Sequence, residues 1–171
     1  MAFSEYLDRV SWDERLSVTE EADKFPHLTG GWASPSLFGP NLYETIPSGV
    51  CPPFKYLIVS ASGFGTPLHT EPDGGSTWLA LLSGRKRWLV FPQDADITTF
   101  PNYHEDMSAH EFFSQVMWEG VQEPGEILYV PSGCAHVVLT LDASVAISVD
   151  FINDTNLPFI APHLRALICP Q

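Results

Sequence analysis

Basic residues are scarce in this chain. Eight lysines and arginines face 21 aspartates and glutamates, a net charge of −13 over 171 residues. A surface of that sign repels phosphate backbones and anionic lipid, which disfavours nucleic acid as a partner and fits a cationic one better. Cysteine is sparse too. Cys51, Cys134 and Cys169 are odd in number and form no C-x-x-C pair, which argues against both a disulfide framework and a cysteine zinc site. No apolar run is long enough to cross a bilayer. The start, Met1 to Arg9, lacks the basic-then-apolar order of a secretory signal. Repeats and low-complexity segments are also missing. With 44% hydrophobic and 17% charged residues, what remains is the text of one soluble, intracellular globular domain.

Three regions differ in texture. Ser11-x-x-Glu14 and Ser17-x-x-Glu20 have capping-box spacing, in which each side chain satisfies a free donor of a first helical turn, and predict short helices over 3–9 and 12–22. Residues 26–53 are rich in Gly, Pro, Ser and Asn, yet Trp32, Leu37, Phe38, Leu42 and Tyr43 need burial, so the segment reads as an irregular lead-in. From Phe54 the pattern turns to strands, at about 54–59, 66–70, 77–82 and 86–91, then at 126–130, 135–141 and 144–151. Ser83-Gly84 and Asp142-Ala143 read as turns between strands. An insertion over 92–123 holds the loop Tyr103-His104-Glu105-Asp106 and, from the Ser108-x-x-Glu111 cap, a helix to about Trp118. The tail from Asn156 has room for one helix, broken by Pro158 and Pro162. The expected class is mainly β: an antiparallel barrel or jelly roll with N-terminal helices and one helical insertion.

Chemistry concentrates at Gly65-Thr66-Pro67-Leu68-His69-Thr70-Glu71. In a strand, residues two apart share a face, so His69 and Glu71 aim an imidazole and a carboxylate into one space. Such a pair alone is more often two surface side chains. A third ligand is available in His136, which follows the Pro131-Ser132-Gly133 turn on a strand expected to face His69 across the barrel mouth. Two histidines and one carboxylate on one face of a metal, with positions left open, suit Fe(II) and its oxygen chemistry. Lys86 lies between Arg85 and Arg87 and shares strand parity with Trp88. If Trp88 faces inward, so does Lys86, and a buried ammonium needs an anionic partner. A dicarboxylic cosubstrate would supply one.

The motifs G-T-x-x-H-x-E, W-x-x-x-x-x-G-x-K-x-W-x-x-F-P and P-G-E-x-x-Y-V-P-x-G-x-x-H, spread over roughly 36–152, resemble the Jumonji-C domain of Fe(II)- and 2-oxoglutarate-dependent oxygenases. The likeness is greatest to the small hydroxylase branch that modifies lysyl and asparaginyl side chains. It implies a double-stranded β-helix of the cupin type over 36–152, preceded by a lead-in over 1–35 and followed by a tail over 153–171. It also implies iron held by His69, Glu71 and His136. The far carboxylate of 2-oxoglutarate would sit on Lys86, with hydroxyls from Thr66 and Ser148. Glu71 stands where this branch commonly has Asp, Leu79 and Asp150 where a relative has Asn.

The activity so implied uses O₂ and 2-oxoglutarate to hydroxylate a carbon of a protein or peptide substrate, a basic one fitting the acidic chain. Hydroxylation of an N-methyl carbon would amount to demethylation. Two other readings stand beside it: a metal-binding cupin without 2-oxoglutarate, against which Lys86 argues, and a non-catalytic scaffold, against which the complete triad argues.

Overall fold

In the computed structural model, the described residues are 17–29, 32–47, 49–71, 74–97 and 115–161, with the side chains of Leu28 and Thr29 left aside. Among the described residues, seven strands form one antiparallel sheet: β1 (Ser17–Glu21), β2 (Lys55–Ser60), β3 (Gly65–His69), β4 (Ser76–Val90), β5 (Trp118–Gln122), β6 (Ile127–Val130) and β7 (His136–Phe151). The helical pieces are short: 3-10 turns at Ala22–Lys24, Ser36–Phe38 and Leu42–Thr45, the single turn α1 (Pro26–Thr29), and a helical turn over 157–161.

Two long strands organise everything. β4 and β7, 15 and 16 residues long, pair along almost their full length. Their outer edges change neighbours midway. The first part of β7 pairs with β3 and its last part with β2, while the first part of β4 pairs with β6 and its last part with β5. The sheet therefore has two halves that share β4 and β7. The register slips between Leu81 and Lys86, opposite Asp142–Val145. This is the jelly-roll plan in which a cavity forms between two halves.

The turn signals at Ser83-Gly84 and Asp142-Ala143 mark this crease and no chain reversal, which corrects the expected turns between strands. Ser83 still opposes Val145 and Arg85 still opposes Asp142. Gly84 is needed there: its φ is +77°, and a Cβ would lie 2.4 Å from the Ala143 carbonyl oxygen.

The helix expected over 12–22 is also corrected. Residues 17–21 form β1, which adds to β2 as an edge strand, with Ser17 Oγ 2.9 Å from Ser60 Oγ. An available sheet edge outcompetes a local cap. The chain at 115–118 is not helical, because Trp118 opens β5 opposite Val90. The expected helix over 3–9, most of that over 108–118, and the 103–106 loop lie outside the described residues.

The core follows strand parity. Leu79, Leu81, Trp88, Val90, Val130 and Val138 pack between the halves. Leu89, Phe91, Ala135 and Val137 pack on the outer face of one half. Trp78 and Val149 do so on the other, where Phe38 stacks on Trp78 at 5.5 Å. Of the lead-in aromatics and aliphatics, Tyr43 is buried as expected, whereas Leu37 is 86% exposed.

Candidate metal and cosubstrate site

The end of β3 and the start of β7 place the metal-ligand candidates. His69 and His136 are directly opposed in the β3–β7 register, so they are cross-strand neighbours and do not face each other across the mouth. Their rings are 4.2 Å apart. Glu71 follows two residues after His69, and its Oε1 lies 3.6 Å from His136 Nε2. One ligand atom from each of the three residues falls within 4.8 Å of the other two, the one such cluster among the described residues.

Each histidine is oriented in the same way. His69 Nδ1 lies 2.8 Å from the Pro67 carbonyl oxygen and His136 Nδ1 3.3 Å from that of Cys134. With Nδ1–H donating to a carbonyl two residues back, the lone pair sits on Nε2 and the ring is fixed for a metal. Trp88 stacks on the His136 ring at 5.8 Å. Burial, reinforced by His69, pushes the His136 pKa down to about 3, so the ring is held neutral. Burial lifts the Glu71 carboxyl above its ordinary range, with His69 opposing the shift. Two imidazoles beside a largely buried carboxyl group are a donor set that a divalent cation satisfies, and the residues fit a facial two-histidine, one-carboxylate centre.

Strand parity also carries Lys86 inward. Arg85 and Arg87 point out to Asp142 and Glu119, while Lys86 is 2% exposed. Its Nζ donates to Thr140 Oγ1 at 3.1 Å, and no carboxylate of the described residues pairs with it. Burial lowers its pKa from 10.5 to about 8. An ammonium has three donors, so this one is left seeking an anion.

A cavity of about 680 Å³ joins these groups. His69, Glu71, His136, Lys86, Thr66 and Ser148 all line it. Thr77 Oγ1 sits 3.1 Å from Ser148 Oγ on the same wall. Leu79 and Asp150, which with Glu71 are the departures from the related branch, line it as well. Sequence reasoning missed Tyr56, whose hydroxyl donates to the Pro53 carbonyl oxygen at 2.8 Å. Burial first, then Asp150, Glu71 and Glu21, raise its pKa to about 12. It also missed Thr140, although the spacing His136, Val138, Thr140 puts a hydroxyl on the metal-facing side of β7. A second hollow, beside β5 and β6, is lined by Met117, Trp118 and Val121 and holds no histidine.

The family model of the JmjC domain matches residues 56–157. The chain belongs to the JmjC domain family. Similar proteins include the lysine-specific demethylase JMJ21 of Arabidopsis thaliana, 31% identical over 81% of this chain and 17% of that protein. The bifunctional arginine demethylase and lysyl-hydroxylase psr-1 of Caenorhabditis elegans is 26% identical over 83% of this chain and 40% of its own length. The 2-oxoglutarate and iron-dependent oxygenase JMJD4 of Mus musculus is 28% identical over 67% of this chain and 31% of its own. This JmjC domain thus spans less than half of each. The crystal structure of the ribosomal oxygenase YcfD of Escherichia coli shares the fold, with a TM-score of 0.51 at 21% identity over 84% of this chain and 34% of that one.

Proposed function

We propose that this JmjC domain is an Fe(II)- and 2-oxoglutarate-dependent oxygenase that hydroxylates a carbon of a protein side chain. The observation that carries the reading is the pairing, inside one cavity, of a His69–Glu71–His136 cluster with a buried Lys86 that no carboxylate of the described residues neutralises. When bound, iron and 2-oxoglutarate supply the oxidative decarboxylation that delivers one oxygen atom of O₂ to a C–H bond and the other to succinate.

The chain's own residues provide the rest. His69, Glu71 and His136 would hold the metal, with both rings pre-set by backbone carbonyls. Lys86 donates to the far carboxylate of the cosubstrate, assisted by the hydroxyls of Thr66 and Ser148. Trp88, Leu79 and Val138 keep that end dry, which strengthens the charged contacts. Tyr56 and Asp150 line the same cavity, where a substrate side chain would meet them. Basic peptides are the substrates to try first, because the chain is acidic and the names of several relatives specify lysine or arginine. An N-methyl carbon there would yield demethylation. Fe(II) and the free Cys51 and Cys134 suit a reducing, intracellular compartment. We assign 36–152 as the catalytic unit, with β1 added at its edge.

The test is succinate release from 2-oxoglutarate with Fe(II), with and without basic and neutral peptides. Succinate formed by the parent and absent in His136→Ala supports the reading. Metal binding without any 2-oxoglutarate consumption or binding would return the chain to the cupins that work without that cosubstrate.

A further inference from the structure

Lys86 reaches the cavity on a long, flexible stem, and something must decide where its ammonium stops. Its sole side-chain partner among the described residues is Thr140 Oγ1, at 3.1 Å. Thr140 sits directly opposite Lys86 in the β4–β7 register, beside the slip between Arg85 and Lys86. It is itself pinned from the other edge. Its N–H donates to the Phe64 carbonyl oxygen at 2.6 Å, and its carbonyl oxygen accepts from Gly63 N–H at 2.8 Å. A β-branched residue held on both sides has little freedom left in χ1.

Thr140 is fully buried and absent from the cavity wall. Valine would fill the same volume with an equal taste for strands and no buried hydroxyl to desolvate. Among the described residues, the hydroxyl has no side-chain hydrogen bond besides the one to Lys86. We propose that Thr140 is a positioning residue for the cosubstrate: its hydroxyl takes one of the three ammonium donors of Lys86 and so holds the other two ready for the far carboxylate of 2-oxoglutarate. The inference rests on the proposed activity, since it presumes that 2-oxoglutarate occupies this end of the cavity.

The experiment measures 2-oxoglutarate and Mn(II) dissociation constants by calorimetry, without oxygen, for the parent, Thr140→Val, Thr140→Ala and Thr140→Ser. The valine and alanine variants are expected to bind 2-oxoglutarate about five- to twenty-fold more weakly, a part of what one hydrogen bond to a charged group is worth, because the bond lost is to Lys86 and not to the cosubstrate. Serine is expected to restore binding to within about two-fold of the parent, because the lost atom is the hydroxyl. Mn(II) affinity is expected to stay as in the parent for all three. Equal 2-oxoglutarate binding by valine and parent would overturn the assignment. So would a matching loss of Mn(II) affinity, or a serine variant as weak as valine, since either result describes a packing defect. If the parent itself binds Mn(II) but no 2-oxoglutarate, the proposed activity has failed and the role of Thr140 falls with it.

Discussion

At the scale of single residues, the site trades stability for ligand affinity. Lys86 is a buried ammonium waiting for an anion, and the unliganded protein bears the desolvation cost. Lys86→Met should therefore stabilise the unliganded protein by roughly 1–3 kcal/mol while weakening 2-oxoglutarate binding about ten- to a hundred-fold. Thermal melts and calorimetry on the same variant check both halves. The sign of the pH effect follows. Lys86 titrates near 10.5 when unfolded and near 8 when buried. Between those values the unfolded chain holds a proton the folded one has released, so stability of the unliganded parent rises with pH across that window. Melting temperatures over that range should show the rise in the parent and its loss in Lys86→Met. If Lys86 binds 2-oxoglutarate as proposed, affinity should run the other way, falling as pH climbs past about 8 and the ammonium empties.

At the scale of elements, the site depends on how closely β3 lies on β7. A Cβ on Gly65 would stand 1.7 Å from the Val138 carbonyl oxygen, a backbone atom with nowhere to go. Gly65→Ala should force the strands apart, costing about 1–3 kcal/mol. It should also loosen metal binding, because Thr66 and His69 ride on the same strand. Gly84→Ala, at the crease of β4, should cost about as much through its left-handed backbone and leave metal affinity nearly intact, the crease being remote in register from the His69–His136 pair. Chemical denaturation paired with Mn(II) titration separates the two outcomes. Local text misled at this scale in two instructive ways. Capping-box letters at Ser17–Glu20 lost to a vacant edge of β2. Turn letters at Ser83-Gly84 and Asp142-Ala143 were real breaks, but they face each other across two long strands, so they bend the sheet and leave the chain running on.

At the scale of the whole molecule, stability should report the site's occupancy. A ligand at a hundred times its dissociation constant adds about 2.7 kcal/mol to a folded state it alone recognises. Mn(II) with 2-oxoglutarate should raise the melting temperature of the parent, and a chelator should reverse the gain. His136→Ala should fold and show no response to either; an unaltered response there would remove His136 from the ligand set. Much of this was legible in the sequence by itself. His69 and Glu71 could be picked out because strand parity is local, and residues two apart share a face; the same parity carries Lys86 inward with Trp88, while His136 had to be sought elsewhere in the chain as a third candidate ligand. Which strands lie side by side is decided by pairings far apart in the chain. Only the tertiary structure made His69 and His136 cross-strand neighbours, set Thr140 against Lys86, and turned two apparent turns into the crease that brings both halves of the sheet around one cavity. Hydrogen-bonded register between distant segments leaves no mark on the letters nearby, because its free energy belongs to the pair of strands and to neither strand alone.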